Sequence, residues 1–403
     1  MRCDPRFSRA REVFERHLAD GEELGGAFAV FLDGEPVVDL WGGVADRHAG
    51  RPWGEDTPAF AYSCTKAITA TVLLQLAERG LVDVSAPVAE VWPEFAAEGK
   101  QGVTVEHLLT HAAGLPVVED PVPVEEFGDH AAIAARLAGQ RPLWEPGTAH
   151  GYHALSYGFL VGEVVRRVTG KTVGELVAAE IAGPLGLDLW VGAPDPVIAR
   201  AARLTATSGT PAERPDAPVA DTATADAFTA GASTADPAGG DGGALGMMAR
   251  AVRDPDSLMN RALGNPSMQR LKGGANHPVV MRAGWPAAGA VTTARALAGF
   301  YRSLLAGDVV RPETLRDALR PRVSGPDRVL YVDSSFGLGY MRPAMTFFVP
   351  SATAFGHTGL GGFVGFGDPE HGLAVGYVMN RMAGAVSGSL RAYRLIEAVY
   401  QSL

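Results

Sequence analysis

Ser63 and Lys66 stand three residues apart in Ala61-Tyr-Ser-Cys-Thr-Lys-Ala-Ile-Thr-Ala70, just ahead of an apolar-periodic stretch that reads as a helix. Side chains three apart share a helix face, so this spacing can put an amine beside a hydroxyl. A serine hydroxyl is a weak nucleophile until a neighbouring base or cation activates it. The same letters also suit a serine-capped helix start with a solvated lysine. Lysine is rare here, with only Lys66, Lys100, Lys171 and Lys272 in the chain.

Two distant stretches could complete such a site. In Glu145-Pro-Gly-Thr-Ala-His-Gly-Tyr-His-Ala154, Tyr152 follows a Pro-Gly turn and precedes a helical pattern. A tyrosine of lowered pKa can take a proton from serine and return it to a leaving group. Lys66 is expected to supply the charge that lowers it. In Phe355-Gly-His-Thr-Gly-Leu-Gly-Gly362, small residues let backbone approach a substrate closely. The N–H of Leu360 and that of Ser63 are expected to face a developing oxyanion. Packing suffices to explain a lone tyrosine before a helix, and a strand bulge suffices for the glycines.

The elements that must position these residues follow from periodicity and punctuation. Residues 7–19 are apolar at Phe7, Ala10, Val13, Phe14 and Leu18, a helical spacing. Asp33-Gly34 between Gly26–Leu32 and Pro36–Trp41 predicts a hairpin. A helix is expected over 65–79. Thr104 caps Val105–His111, a segment closed by Gly114-Leu-Pro116, and Asp129 caps 130–139. Ala154–Val168 ends at Gly170, and Thr172 with Glu175 has the form of a capping box. Residues 205–245 are rich in Thr, Ala, Asp, Gly and Pro, which predicts a mobile loop or an active-site lid. A helix over Thr292–Leu305, strands over Ala354–Gly367 and Gly372–Asn380, and a last helix capped by Ser387 complete the chain. The expected fold is α+β, an antiparallel sheet flanked by helices with an inserted all-α domain. Residues 1–60 with 286–403 would form the sheet domain, and 61–285 the mainly helical insertion.

Taken in order, Ser63-x-x-Lys66, Tyr152-x-Ala154 and His357-Thr-Gly359 resemble the serine β-lactamase/penicillin-binding-protein superfamily. More narrowly, they are similar to its class C β-lactamase-like esterases and transacylases. Val103–Pro116, Gly151-Tyr-His-Ala-Leu-Ser-Tyr-Gly158 and Ile181-Ala-Gly-Pro-Leu-Gly-Leu187 extend the resemblance. It implies an acyl-enzyme on Ser63, proton handling by Lys66 and Tyr152, a two-amide oxyanion hole, and no metal or cofactor. Three departures bear on the substrate. His357 stands where many relatives carry a lysine that attracts a substrate carboxylate, and a histidine of ordinary pKa is about three-quarters neutral at pH 7. Ala154 replaces a frequent asparagine, and Gly289 lacks a side chain where relatives often have one. These shift the expectation from β-lactams toward an ester or thioester acyl donor, with water, an amine or an alcohol as acceptor. The alternatives are a carrier-releasing peptide cyclase, a D-amino-acid peptidase, or a catalytically silent ligand-binding protein.

Other signals carry less. His107-Leu-Leu-Thr-His111 has zinc-helix spacing, but the motif's glutamate and a third ligand are missing, so structural histidines are expected. His150 and His153 flank Tyr152 and are expected to be structural. Trp144 and Trp285 would either line an acyl pocket or fill the core. The net charge of −10 lacks the basic footprint of a nucleic-acid partner. No uncharged apolar run reaches the roughly 18 residues of a membrane helix, and the first residues lack a signal peptide's apolar segment, so no secretory leader is expected. Two cysteines, Cys3 and Cys64, make no disulfide framework, so a cytoplasmic location is expected.

Overall fold

The computed structural model describes residues 1–205 and 243–403. Its main sheet has seven strands, all antiparallel to their neighbours. Six run in the order Arg2–Cys3, Glu35–Asp46, Gly25–Leu32, Leu373–Met379, Val364–Asp368 and Phe355–Thr358, and Arg51–Pro52 pairs with Glu35–Asp46. The chain's two ends therefore meet in one sheet, through register pairs such as Phe28 with Tyr377.

Local chemistry explains the elements. Asp33 and Gly34 both have positive φ (50° and 85°), the geometry of a two-residue hairpin turn whose twist matches its strands. Every residue of Leu373–Met379 is buried, so both faces of the sheet are covered at its centre. The helix Ala294–Ala306 packs on that strand and its neighbours. It comes so close that a Cβ at Gly376 would sit 2.3 Å from the Ala294 carbonyl oxygen. The first and last helices, Ser8–Ala19 and Leu390–Tyr400, pack against each other.

Between the sheet's halves lie the helices Thr65–Glu78, Val105–Leu109, His130–Gly139 and Ser156–Thr169. Thr104 Oγ1 accepts from the His107 N–H, and the His107 ring accepts from the Thr104 N–H, a capping box with histidine in the usual glutamate position. Asp129 caps His130–Gly139, and Gly170 (φ 72°) closes Ser156–Thr169. A small sheet joins Ala59–Phe60, Ala290–Thr292 and Leu189–Val191, and its first strand leads directly into Ser63. Among the described residues no helix is long and apolar enough to cross a membrane.

Of the boundaries that differ from expectation, three change what an element does. The stretch expected as one strand over Ala354–Gly367 is two, because Gly361 and Gly362 (φ 83° and 119°) reverse the backbone between Phe355–Thr358 and Val364–Asp368. The helix expected from Thr292 starts at Ala294, capped by Thr293, since Ala290–Thr292 is held in the small sheet. Ser389 caps the last helix, while Ser387 bonds Thr358 and the Thr346 carbonyl. Of the expected loop at 205–245, residues 206–242 lie outside the described residues.

Candidate active site

Ser63 sits at a forced bend. Ala61 donates to the Ala290 carbonyl, and Tyr62 then turns into the left-handed region (φ 46°), a strained conformation for an aromatic residue. The amides of Cys64, Thr65 and Lys66 bond back to Ala61, Tyr62 and Ser63, so the turn runs straight into the helix Thr65–Glu78. Ser63 remains half-buried at the surface, whereas Lys66 has no exposed area. Lys66 Nζ lies 3.0 Å from Ser63 Oγ, 2.7 Å from the Ala154 carbonyl and 3.0 Å from the Ala287 carbonyl. Burial pushes the Lys66 pKa well below its usual value. A neutral amine has two N–H bonds and one lone pair. In that neutral form the two carbonyls would take the N–H bonds, leaving the lone pair for the Ser63 hydroxyl.

Tyr152 lies on the extended segment before Ser156–Thr169, where no helix or sheet ladder fixes it. Its neighbours do so instead. His111 accepts from the Gly151 amide with its carbonyl and from the His153 amide with Nδ1. Asp327 Oδ1 accepts from the Tyr152 amide at 3.0 Å. The His153 ring accepts from the Leu115 amide through Nε2, so its Nδ1 donates to the Gly151 carbonyl. The histidines of the zinc-like spacing thus have separate tasks, His107 in a cap and His111 behind Tyr152. The Tyr152 ring lies 4.7 Å from Lys66 Nζ, and Ser63 is near enough to act on the phenol's charge.

The expected tyrosinate is not supported. Burial raises the Tyr152 pKa above its ordinary value, against the smaller lowering effect of Ser63. The desolvation that pushes Lys66 toward its neutral form also weakens the cation expected to lower Tyr152.

The third stretch arrives from the opposite side. Cys64 Sγ donates to the His357 carbonyl at 3.5 Å, tying Phe355–Thr358 to the start of Thr65–Glu78. Gly359 lies so close to the Ser63 turn that a Cβ would stand 2.6 Å from the Ala61 carbonyl oxygen. Leu360 is the next residue along this turn. Among the hydrogen bonds of the described residues, none uses the Ser63 or the Leu360 N–H. His357 has no exposed area, and burial pushes its pKa down to about 3. Its ring lies 6.0 Å from that of Tyr152. The Thr358 hydroxyl lies 2.6 Å from Ser387 Oγ.

The tryptophans belong to the core. Trp285 Nε1 donates to the Phe127 carbonyl, and its ring packs on Phe127 and Phe159. Trp144 donates to the Ala149 carbonyl and fills the space that Gly151 leaves, under the Arg328 guanidinium. Gly289 closes a tight turn, where a Cβ would lie 2.4 Å from the Trp285 nitrogen. The sequence reading missed the Ala154 and Ala287 carbonyls as partners of Lys66. Any residue type has a carbonyl, so neither leaves a signal in the sequence. It also missed Asp327, whose Pro-Asp-Arg setting reads as an ordinary turn.

A family model described as Beta-lactamase matches residues 10–400. The chain belongs to the β-lactamase family. It is 35% identical over 394 residues to the Esterase/beta-lactamase LipL of Mycobacterium tuberculosis, covering 94% of this chain and 82% of that protein. A family VIII carboxylesterase superposes with TM-score 0.83 at 33% identity, over 100% of this chain and 99% of its own. A penicillin-binding protein homolog from Caulobacter crescentus superposes with TM-score 0.81 at 36% identity, over 100% of this chain and 99% of its own. The α+β β-lactamase-like fold and membership among serine hydrolases of the esterase/β-lactamase type stand on these likenesses together.

Proposed function

We propose that this protein is a serine acyl hydrolase or acyltransferase that forms an acyl-enzyme on Ser63 from a neutral ester-type donor. The observation that carries this reading is the threefold contact of Lys66, whose two carbonyl partners leave one lone pair for the Ser63 proton. As Ser63 Oγ attacks the acyl carbon, Lys66 Nζ takes its proton, and the carbonyl π electrons move onto oxygen. The Ser63 and Leu360 amides face that oxyanion. The C–O bond to the leaving alcohol then breaks, and Tyr152 gives its proton to the departing oxygen. The proton held by Lys66 restores the phenol. Deacylation runs the same transfers in reverse, with water, an alcohol or an amine as the attacking group.

The neutral His357 supports an uncharged donor, because an uncharged imidazole offers a substrate carboxylate no opposite charge. The acceptor is the open half of the reaction. Two experiments test this reading. A fluorophosphonate probe should label the wild type and not Ser63→Ala; equal labelling would remove Ser63 from the mechanism. A nitrophenyl ester offered with a panel of amines separates hydrolysis from transfer, and free acid alone across the panel would sink the transferase half.

A further inference from the structure

Asp327 is a buried carboxylate, 2% exposed, whose partners are all neutral. Oδ1 accepts from the amides of Tyr152 (3.0 Å), Val329 (2.8 Å) and Leu330 (2.9 Å). Oδ2 accepts from Ser334 Oγ at 2.9 Å. Because the Ser334 proton is used there, the His150 Nε2 at 3.0 Å from Ser334 Oγ is the donor of that pair. The Arg328 amide donates to the His150 carbonyl at 3.1 Å. Three contacts therefore bind residues 150–152 to the 327–334 loop, at a stretch of the site that no helix or strand holds. A Cβ at Gly151 would lie 3.0 Å from Val329 and 3.2 Å from the Arg328 side chain, so the two segments are in close contact.

Burying an unpaired carboxylate is costly unless hydrogen bonds compensate it. A fold needing only a turn at this place would be served by a neutral side chain. Here the carboxylate reaches across 175 positions of sequence to one amide, that of Tyr152. Its charge also acts to keep the Tyr152 proton in place.

We infer that Asp327, oriented by Ser334 and His150, is the positioning residue for Tyr152, setting the phenol against Ser63. The inference rests on the role proposed for Tyr152 above. Without Asp327 the segment keeps its His111 bonds on one side and only the His150 contacts on the other, so the Tyr152 amide is unheld and the phenol loses its fixed distance from Ser63. An error of about 1 Å at a proton-transferring group is enough to cost roughly 100-fold in rate.

The test is a double-mutant cycle on nitrophenyl butyrate hydrolysis, with a 19F label (3-fluorotyrosine) at position 152 as a second readout. Asp327→Ala should lower kcat about 10- to 100-fold and leave KM within about threefold. Asp327→Asn, which keeps an oxygen for the three amides, should recover most of that loss. In a Tyr152→Phe background, Asp327→Ala should cost less than about threefold more, because both changes remove the same function. The 19F line should shift or broaden in Asp327→Ala. Should that variant not fold by circular dichroism, Asp327→Asn and Ser334→Ala carry the same cycle with smaller effects. Full multiplication of the two losses, or an unmoved 19F line, would overturn the positioning role. A moved line together with a fully active Tyr152→Phe variant would instead sink the proposed function of Tyr152 while supporting the clamp.

Discussion

At the scale of single residues, the site is governed by desolvation. Lys66, Tyr152 and His357 are buried, and each is pushed toward its uncharged form. This gives Lys66 and Tyr152 complementary tasks, a neutral amine that accepts and a neutral phenol that donates. Lys66→Arg should therefore fail as a substitute and lower kcat/KM by roughly 1,000-fold, because a guanidinium keeps its proton and offers no lone pair. Steady-state kinetics on an activated ester check this, and an active Arg variant would show that charge alone suffices. The pH profile follows from the same shift. Below the lowered pKa, Lys66 is protonated and cannot take the Ser63 proton, so kcat/KM should fall as pH falls. That acid limb should lie well under the ordinary lysine value of 10.5. A limb near the ordinary value would contradict the neutral-amine mechanism.

At the scale of elements, close backbone approach does most of the positioning. The glycine-rich turn after Phe355–Thr358 meets the Ser63 turn at Gly359, which has no room for a side chain. Gly359→Ala should push the turn outward and carry the Leu360 amide away from Ser63. The expected result is a fall in kcat of about 100-fold with a smaller change in KM, the signature of a lost oxyanion donor. An unchanged kcat would remove Leu360 from the oxyanion hole. Much of this element level was legible in the sequence. The Asp33-Gly34 hairpin, the Thr104, Asp129 and Thr172 caps and the Gly170 stop are local devices, written within a few residues of where they act. Two of these misplaced boundaries lie where a long-range contact competes with a local preference, and the third where the backbone itself reverses. Thr292 is drawn into a small sheet, Ser387 is drawn to Thr358, and the glycines at 361 and 362 turn a continuous run into a hairpin.

At the scale of the whole molecule, the buried histidines link stability to pH. His357 and His153 have pKa values pushed down to about 3 and about 4 by burial, while in the unfolded chain they titrate near 6.5. Between those values the unfolded chain binds more protons than the folded one. Stability is therefore full above about pH 6.5 and is lost as pH falls toward 3, by roughly 3–5 kcal/mol per histidine at the low end. Urea unfolding midpoints measured from pH 8 to pH 4 should fall steeply, and His357→Gln should flatten the slope. An equal slope in the variant would mean that His357 is not buried neutral. The family and its Ser63-x-x-Lys66, Tyr152 and His357-Thr-Gly359 landmarks were readable from residue type, order and spacing, because nucleophile chemistry restricts which side chains can serve. Only the tertiary structure decided their protonation, since a pKa depends on burial and on neighbours drawn from the whole chain. It alone placed Trp144 and Trp285 in the core, and it alone brought the Ala154 and Ala287 carbonyls to Lys66 and the Asp327 carboxylate to Tyr152. Backbone carbonyls carry no residue signature, and a contact spanning 175 positions leaves no local pattern, so folding alone determines who meets whom.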